Sequence, residues 1–573
     1  MSESFRTGTG RAEGPSALYV ASPQAGRRLR IGLLLDSLTV PAWIAHIVAD
    51  IQNCGFAGVE FVVVNCEQLA RPPFFARLRK RVRHLLYDTY VQRDVRRRRG
   101  ADSPFQPQDI AGQLSGIPVM KVRPRRSGAV HRFRTLDVKR IGEAQLDVLL
   151  RFGFNILRGE ILSAARQGVW SYHHGDSDAY RGGPPLFWEI YEGNPVTGVV
   201  LQRLTEKLDG GGVLFRSHGA THPHSLELSR HATYWKASDF VMRCLRGVAF
   251  DEAPLPELSS TPAYTKSIYR KPGNLHMLRF LGRTTVRKTR ALVDDRRRVP
   301  QWSVAWRRGH PIDPANPDPA GMKEIACPRG HFYADPFLFH HEGEDWLFVE
   351  DYDYSRGRAG ISVLRCGHDG PAGKADLVMD LPIHLSYPCV FGWEGQVYMI
   401  PETGEADRVS LFRARAFPHD WEFVCDLLSG RRAVDATMHQ HAGLWYLFVN
   451  VDESGGGSLD ELFLFHADTP LGPFRPHPAN PIVSDVRSAR PGGRLFERDG
   501  RLIRPSQDSA RGYGHSLVFN EVLELDDKHY AERVLSRLRP WERGVTGCHT
   551  YATVGNLEII DVQRRPLRRT AGA

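Results

Sequence analysis

The chain has 573 residues, of which 42% are hydrophobic, and it carries a formal net charge of +11 at pH 7. This length and ordinary composition predict two or more globular domains and exclude a mainly disordered or fibrous protein. No run of 18 apolar residues occurs, so the sequence predicts no membrane span. The eight cysteines are scattered without a C-x-x-C pair, which argues against a zinc site or a disulfide framework.

The N-terminal segment 1–27 is rich in Gly and Ser and contains no apolar core segment. We expect it to be a disordered tail and not a secretory signal. Together with cysteines that show no disulfide pattern, it predicts a cytoplasmic protein.

The first half of the sequence alternates strand and helix signals. Apolar runs predict strands at 28–38, 58–65, 146–154, 169–174 and 195–205, and helical periodicity predicts helices at 40–55, 159–168 and 185–193. This alternation predicts an α/β Rossmann-like domain at 28–258, with a mostly parallel sheet covered by helices. Such sheets bind ligands beyond the carboxyl ends of their strands. The polar segment 168–185 lies at such an end.

Two segments concentrate the positive charge. Residues 71–99 carry eleven Lys and Arg against two Asp, and residues 266–308 carry thirteen against two. The first belongs to a basic insertion at 67–103, and the second overlaps a linker at 259–299 with one basic helix. Arg interleaved with apolar residues at helical spacing is typical of a solvated helix or of a helix resting on an anionic membrane surface. No nucleic-acid module motif accompanies it, so we expect no nucleic-acid partner.

The stretch 147–215 carries an ordered set of motifs. In "GVWSYHHGDSDAYRGGPP" a histidine pair precedes a loop that ends in Arg-Gly, and "GNPVTGVVLQRLTEKLDGGG" places a Thr-Gly-Val strand before a Leu-Asp-Gly turn. The order and spacing resemble the folate-dependent formyltransferase family, over residues 28–250. The resemblance implies that His173 is the catalytic histidine and Asp209 the catalytic aspartate.

The resemblance also implies a donor, 10-formyltetrahydrofolate, and a set of contacts to it. The expected contacts are Phe152, Gly153, Arg181 and Gly182. An amine attacks the formyl carbon, and an imidazole with a neighbouring donor stabilises the resulting oxyanion. Ser171 stands where the family has asparagine, so Ser171 or His174 is the expected second oxyanion donor. Asp176 and Asp178 are expected to bind a substrate cation or hydroxyl groups.

Three interpretations of this half stay open at the level of sequence. The domain transfers a formyl group, it performs a different acyl or group transfer on the same scaffold, or it has lost catalysis. The structural alternative for "HHGDSD" is a polar turn whose groups satisfy one another.

The second half contains an internal repeat. Short strands flank a turn glycine in "DPFLFHHEGEDWLF", "YPCVFGWEGQVYM", "DATMHQHAGLWYLF", "GGRLFERDGRLI" and "GCHTYATVGNLEII". The glycines are Gly343, Gly395, Gly443, Gly500 and Gly555. Five units of about 50 residues predict an all-β five-bladed propeller at 300–565, to which residues 302–309 supply a strand of the last blade. A hairpin turn needs positive φ at each glycine.

Candidate binding residues follow from the same register. Asp335, Tyr387 and Asp435 lie eight residues before their turn glycines, an even offset that would direct them toward the central channel. "YADPFLF" resembles the first-blade aspartate motif of five-bladed glycoside hydrolases, which implies Asp335 as one acid and Asp435 or Glu402 as a second. The full set expected to contact a saccharide also includes Arg490, Gln507 and His549. The alternative is that these residues only tie the blades together.

The motifs "ADPFLF" and "YMIPE" also resemble the propeller region of plant glucosamine inositolphosphorylceramide transferases, which favours a sugar or glycolipid context. We therefore predict a cytoplasmic N-formyltransferase that acts on an amino-sugar or glycoconjugate, with the propeller binding the glycan. One alternative is a glycan-active propeller, of hydrolase or glycosyltransferase type, with a non-catalytic formyltransferase-like domain. Another is a glycan-binding protein held peripherally at a membrane by its Arg-rich segments.

Overall fold

A computed structural model describes residues 16–20, 27–67, 73–98, 100, 102–207, 211–250 and 268–567. The chain divides into two compact units. The α/β unit comprises Ser22–Arg290 with Ser454–Gly457, and the β unit comprises Met1–Ala21, Ala291–Glu453 and Ser458–Ala573. In the described part of the chain, none of the helices is long and apolar enough to span a bilayer.

The α/β unit is built from short strands and helices that alternate along the chain. Its strands are β1 (Leu29–Leu35), β2 (Thr39–Pro41), β3 (Ala57–Asn65), β4 (Pro107–Asp109), β5 (Val119–Val122), β6 (Arg125–Ser127), β7 (Val130–Arg132), β8 (Val148–Arg151), β9 (Ile156–Arg158), β10 (Val169–His173), β11 (Val196–Arg203) and β12 (Gly212–Ala220). Its helices are α1 (Ala42–Asn53), α2 (Phe74–Arg83), α3 (Leu85–Arg97), α4 (Thr135–Glu143), α5 (Phe187–Glu192) and α6 (Leu226–Phe250); α7 (Asn274–Arg297) starts in this unit.

The main sheet of the α/β unit has seven strands among the described residues, in the order β12-β11-β10-β8-β1-β3-β5. The strands from β10 to β5 in this order run parallel, and β11 and β12 are antiparallel additions at one edge. The apolar run of β1 is buried because α1 packs on one of its faces, with Ile31, Leu33 and Ile47 fully enclosed. The predicted mixed α/β fold of this half is confirmed.

One predicted helix is largely missing. The segment 159–168 forms only a 3₁₀ helix at Glu160–Ser163. Its amides bond three residues back, as Leu162 does to Gly159, and Gly159 enters the turn with φ of 86°. A ten-residue stretch is too short to be held helical by its own periodicity.

The β unit is all-β, as predicted. Its strands are β13 (Gln301–Arg308), β14 (Lys323–Glu324), β15 (His331–His341), β16 (Glu344–Asp353), β17 (Arg358–Gly367), β18 (Gly370–Met379), β19 (Ser386–Trp393), β20 (Gln396–Glu402), β21 (Arg408–Ala416), β22 (Asp420–Ser429), β23 (Ala433–His441), β24 (Leu444–Val451), β25 (Leu462–Ala467), β26 (Arg475–Pro476), β27 (Phe496–Arg498), β28 (Arg501–Asp508), β29 (Ser516–Leu525), β30 (Tyr530–Leu538), β31 (Val545–Gly547), β32 (Tyr551–Val554) and β33 (Leu557–Arg564).

These strands form five antiparallel sheets over the described residues. Four sheets take consecutive strands, β15–β18, β19–β22, β23–β26 and β27–β30, and the fifth joins β13 and β14 to β31–β33. Gln301 pairs with Arg564 and Arg308 with Leu557, so residues from the start of the unit complete the sheet of its last repeat, as predicted.

The hairpins of the repeat confirm the predicted role of glycine. All five turn glycines have positive φ, between 56° at Gly555 and 85° at Gly443. Glu342, Glu394, Ala442 and Asp499, each directly before its glycine, are also left-handed. Two consecutive left-handed residues are the signature of the tight hairpin that matches strand twist.

Candidate functional site

The loop of the α/β unit begins where β10 ends, at His173. The Nε2 atom of His173 lies 2.8 Å from the Tyr180 carbonyl oxygen, which can only accept, so this nitrogen donates to the loop's own backbone. Asp209 lies outside the described residues. The pairing of His173 with Asp209 therefore stays a prediction.

His174 belongs to an aromatic cluster. Its ring stacks on Tyr234 with centroids 3.7 Å apart and planes 5° from parallel, and Trp43 meets it edge-on. Burial, with smaller contributions from His173 and Arg230, lowers the pKa of His174 to about 3, so the imidazole is neutral at pH 7.

The Ser171 hydroxyl donates to the Tyr172 carbonyl oxygen at 3.4 Å. Its Oγ accepts a hydrogen bond of 2.9 Å from Arg151 Nε, and the residue is 1% exposed. The hydroxyl that replaces the family's asparagine is thus engaged by the neighbouring strand β8.

The Arg-Gly pair at the end of the loop is covered by a later segment. The Tyr269 amide donates to the Arg181 carbonyl at 2.8 Å, and the Gly183 amide donates to the Tyr269 carbonyl at 3.0 Å. A Cβ on Gly182 would lie 2.2 Å from the Tyr269 carbonyl oxygen, so the backbones are in close contact. Arg181 itself is buried and donates from Nε to the Ser177 carbonyl at 2.7 Å.

The remaining predicted residues of this half have structural partners. The Phe152 ring packs edge-on against Trp43, and a Cβ on Gly153 would collide with the backbone of Asp36. Asp176 accepts from the Asp178 amide, and its backbone presses on Gly198, which explains the glycine of the Thr-Gly-Val strand. Asp178 forms a surface ion pair of 2.6 Å with Arg216.

The cavity lined by this loop is very small. It encloses about 10 Å³ between residues that include His174, Arg181, Tyr180 and Tyr269. A space of this size holds at most one water molecule. This cavity is too small for a folate.

The β unit contains a larger pocket, of about 310 Å³, lined by strand residues of three of its sheets, by Trp302 of β13, and by loop residues. Its acidic lining is Glu350, Glu402 and Glu405; its basic lining is His384, Arg432, Arg490 and His549; its aromatic lining is Trp302, Phe332 and Tyr513. A concave site with aromatic walls and converging polar groups is the usual form of a small-molecule site. Of the predicted saccharide contacts, Glu402, Arg490 and His549 line this pocket.

Three other predicted contacts lie beneath the lining. Asp335, Tyr387 and Asp435 are at most 2% exposed. Each occupies a bulge in the first strand of its sheet, with φ of 46°, 46° and 54°. The bulge breaks the alternation of faces on which the prediction of a channel-facing side chain depended. These residues hold the lining in place and do not form it, which corrects their assignment as substrate contacts.

A chain of buried charges supports His549. Its Nδ1 lies 2.5 Å from Asp561 and its Nε2 lies 3.3 Å from Asp335 and 2.9 Å from the Tyr513 hydroxyl. Burial opposes the charged imidazole, but the Asp561 and Asp335 carboxylates raise the pKa of His549 to about 9. Burial also raises the pKa of Asp335, and Glu350 and Asp435 act in the same direction. His549 therefore presents a fixed positive charge beside the pocket.

Asp335, His549 and Asp561 also carry potential metal-ligand atoms within 4.8 Å of one another. The Thr550 hydroxyl and the amides of His549 and Thr550 already donate to Asp335 and Asp561. The arrangement is that of an internal ion pair.

A second buried pair supports Arg490. Its Nε and Nη2 donate to the two carboxylate oxygens of Asp435 at 2.5 and 3.2 Å, and Gln507 Nε2 donates to Asp435 at 3.0 Å. The guanidinium stacks over the Tyr513 ring at 4.7 Å. Tyr387 plays a purely structural part, because its hydroxyl bonds to Thr437 and to the Gly493 amide, both at 2.8 Å.

Two carboxyl groups of the lining are suited to proton transfer. Burial, aided by the charge of Asp435, raises the pKa of Glu402 to about 7, although the Gly404 amide donates to it at 2.6 Å. Glu350 lies 3.3 Å from His384 Nε2. Burial opposes protonation of His384, but its hydrogen bond to Glu350 raises the pKa above the usual value. A carboxyl that titrates near neutrality beside a second one is a typical acid–base arrangement.

Sequence reasoning missed Glu350, His384, Trp302, Phe332 and Tyr513. The repeat contained the signal for Glu350. Seven residues after the turn glycine stand Glu350, Glu402, Asn450 and Gln507 in the first four repeats, so Glu350 occupies the position that Glu402 has in the second. Trp302, Phe332 and Tyr513 do not recur at a fixed distance from the turn glycines, so the repeat gives no comparable signal for them.

The comparisons with known proteins bear mainly on the β unit. A protein-family model described as "Glucosamine inositolphosphorylceramide transferase 1, N-terminal" matches residues 300–548. Curated proteins named glucosamine inositolphosphorylceramide transferase 1 are 33% identical, over 235 residues in Oryza sativa subsp. japonica and over 207 in Arabidopsis thaliana. The matches cover 40% and 35% of this chain, but only 31% and 27% of those relatives.

Solved structures show weaker likenesses. Glycinamide ribonucleotide transformylase 1 from Symbiobacterium toebii is 15% identical with a TM-score of 0.28, covering 40% of this chain and 92% of that one. A family 117 glycoside hydrolase from Zobellia galactanivorans is 14% identical with a TM-score of 0.30, covering 46% and 90%. Similarity at this level does not bear on function.

These findings correct the functional prediction. The similarity to plant glucosamine inositolphosphorylceramide transferases is confirmed over residues 300–548. The prediction of an N-formyltransferase is wrong, because the matching family and curated relatives carry the name of a different transferase. The folate donor stays a prediction. The alternative of a glycan-active β unit agrees better with these names.

Proposed function

We propose that the β unit is a five-bladed propeller whose central pocket transfers a sugar between glycoconjugates, and that the α/β unit takes no catalytic part. The observation that carries the proposal is the pocket itself, in which Glu402, with a pKa of about 7, and Glu350 stand among aromatic walls. The family match supports it, since residues 300–548 include all the strands around the pocket except β32 and β33. The transferase names of the relatives favour transfer over hydrolysis.

In this proposal Glu350 is the general base and Glu402 is the general acid. Glu350 accepts the proton of an acceptor hydroxyl while that oxygen bonds to the anomeric carbon. The bond from this carbon to the leaving oxygen breaks, and the leaving oxygen keeps the electron pair and receives the proton of Glu402. Burial keeps Glu402 protonated in a useful fraction near neutral pH, and His384 orients Glu350.

The positive groups around the pocket favour a substrate that carries phosphate. His549 is held protonated by Asp561 and Asp335, and Arg490 is held in place by Asp435. Fixed cations in the wall of the pocket stabilise a phosphate or a phosphate-like leaving group without reorganisation. A sugar linked to a nucleotide or an inositol phosphate has both features, a ring for the aromatic walls and a charge for these cations.

The test uses the full chain with nucleotide-linked glucosamine or N-acetylglucosamine as donor and inositolphosphorylceramide as acceptor, and mass spectrometry detects product. We expect Glu402→Gln and Glu350→Gln to lower turnover by about 100-fold or more, which is the usual contribution of a general acid or base. Glu497→Gln, on the exposed strand β27, is the matched control and should leave turnover unchanged. If Glu402→Gln and Glu350→Gln both retain turnover, the assignment of these carboxyl groups as acid and base is refuted. If the wild-type chain binds the sugar but forms no product, it is a sugar-binding protein and not a transferase.

A further inference from the structure

We propose that the α/β unit docks on a bilayer that contains anionic lipid, through a surface formed by α2 and by residues 274–290 of α7. We call this the basic apolar surface. The inference does not depend on the proposed function of the β unit, because it rests on other residues and other contacts.

Helix α2 is amphipathic but buries none of its ten residues. Phe74, Phe75, Leu78 and Val82 are 63%, 80%, 45% and 55% exposed. Their spacing places them within about 100° of the helix circumference, the width of a normal buried face. A soluble helix would pack such a face against a core, so the exposed face indicates an interaction surface.

The other face of α2 is strongly basic. Arg77, Arg79, Lys80, Arg81 and Arg83 occupy the positions between and opposite the apolar residues, and the helix contains no acidic residue. A helix with an apolar face and a Lys/Arg-rich polar face is suited to lie in a membrane interface, apolar side inward.

Helix α7 repeats this composition beside α2. Its Met277 and Phe280 are buried, and Phe280 packs on Tyr90 of α3 with ring centroids 5.2 Å apart. Leu275 and Leu278 are instead 61% and 59% exposed. The segment 274–290 contains five basic residues and no acidic residue, namely Arg279, Arg283, Arg287, Lys288 and Arg290.

The end of α2 and the start of α7 are joined by specific contacts. Asn274 Nδ2 donates to the Val82 carbonyl at 2.8 Å, and Asn274 Oδ1 accepts from the Leu86 amide at 3.2 Å. His84 Nδ1 donates to the Pro272 carbonyl at 2.8 Å. These contacts hold the C-terminal end of α2 against the N-terminal end of α7, so the two helices adjoin there.

Charge and apolarity together select the partner. The two segments together carry ten basic residues and no acidic residue, and each basic side chain near acidic lipid adds about 1 kcal/mol of attraction. A duplex nucleic acid would use these charges through its phosphates, but its exterior offers no apolar layer for Phe74 and Phe75. A bilayer interface accommodates both the basic charge and the apolar rings. The aromatic rings enter the acyl boundary, and the guanidinium groups lie among the headgroups.

The experiment is sedimentation of the full chain with vesicles of phosphatidylcholine alone or with ~30% phosphatidylserine. We expect binding to the anionic vesicles only, weakened when salt is raised from about 0.1 to 0.5 M. Phe74→Ser/Phe75→Ser should weaken it by at least about tenfold through lost apolar insertion. Leu136→Ser is the matched control, because Leu136 is 61% exposed on α4 of the same unit.

Three results would overturn the proposal. One is equal binding of the wild-type chain to neutral and anionic vesicles. Another is equal loss of binding in the Leu136→Ser control. The third is light scattering that shows a dimer in the absence of lipid which the double Phe variant dissociates, because the surface would then be an interface between two copies of this chain.

Discussion

Arg490→Met tests whether the ion pair beneath the pocket stabilises the β unit. Two guanidinium nitrogens donate to both oxygens of Asp435, and the two side chains are only 12% and 2% exposed. Methionine keeps most of the apolar stem of arginine but carries no charge. The substitution therefore leaves Asp435 as a buried carboxylate without its cation.

The expected cost follows from that geometry. Removal of one partner of a buried ion pair destabilises a protein by about 3–5 kcal/mol, since the remaining charge is desolvated and unpaired. Gln507 Nε2 still donates to Asp435 at 3.0 Å, so we expect the lower end, ~3 kcal/mol. Asp435→Asn removes the unpaired charge, and the double variant Arg490→Met/Asp435→Asn should regain more than half of the loss.

The assay is urea unfolding of the four proteins of this double-mutant cycle at pH 7, followed by fluorescence. We expect a coupling free energy of about 1.5 kcal/mol or more between Arg490 and Asp435. Arg413→Met is the control: Arg413 pairs with Glu422 at a site where the side chains are 44% and 35% exposed, so its loss should destabilise the protein far less than the loss of Arg490. Additive effects of the two pocket substitutions would refute the reasoning.

Two further predictions concern titration and backbone packing. Glu402 has a pKa of about 7 in the folded protein, above its ordinary value of 4.5. Between these values the folded state holds a proton that the unfolded state has released. The contribution of Glu402 to the free energy of unfolding is therefore lost as pH rises from about 5 to 8. Glu402→Gln should therefore flatten the pH dependence of urea unfolding by about 2 kcal/mol over that interval, and an unchanged slope contradicts the assignment. Gly182→Ala should lower the unfolding temperature of the α/β unit for two reasons. The new Cβ would lie 2.2 Å from the Tyr269 carbonyl oxygen, and residue 182 has a φ of 102°, which disfavours alanine. A variant as stable as the wild type would show that segment 268–270 is not fixed against Gly182.

The architecture was largely predictable because it follows from local patterns. Alternating apolar runs specified the strands of the α/β unit, and turn glycines at regular spacing specified the hairpins of the β unit. The resemblance to glycoside hydrolases predicts Glu402 as a candidate second acid, and Glu350 could have been found from the same position in the preceding repeat.

The orientation of the bulge residues was not predictable in this way. An even offset from the turn suggested that Asp335 and Asp435 face the central channel, but the left-handed bulge interrupts the alternation between them and the turn. A bulge is recognised by its φ angles and its hydrogen bonds, neither of which a sequence motif records. The polar chain from Asp335 through His549 to Asp561 also joins residues more than 200 positions apart.

The loop at His173 shows why motif order alone does not establish a site. A transfer reaction needs a space beside the acid or base in which the reacting atoms can meet. The motifs give the residues of the loop, but Tyr269, which covers Arg181 and Gly182, comes from a segment far along the chain. With Tyr269 in place the cavity is about 10 Å³, whereas the pocket between Glu350 and Glu402 has about 310 Å³. The pocket of the β unit has both the room and the titrating carboxyl, which supports the proposed chemistry in that unit.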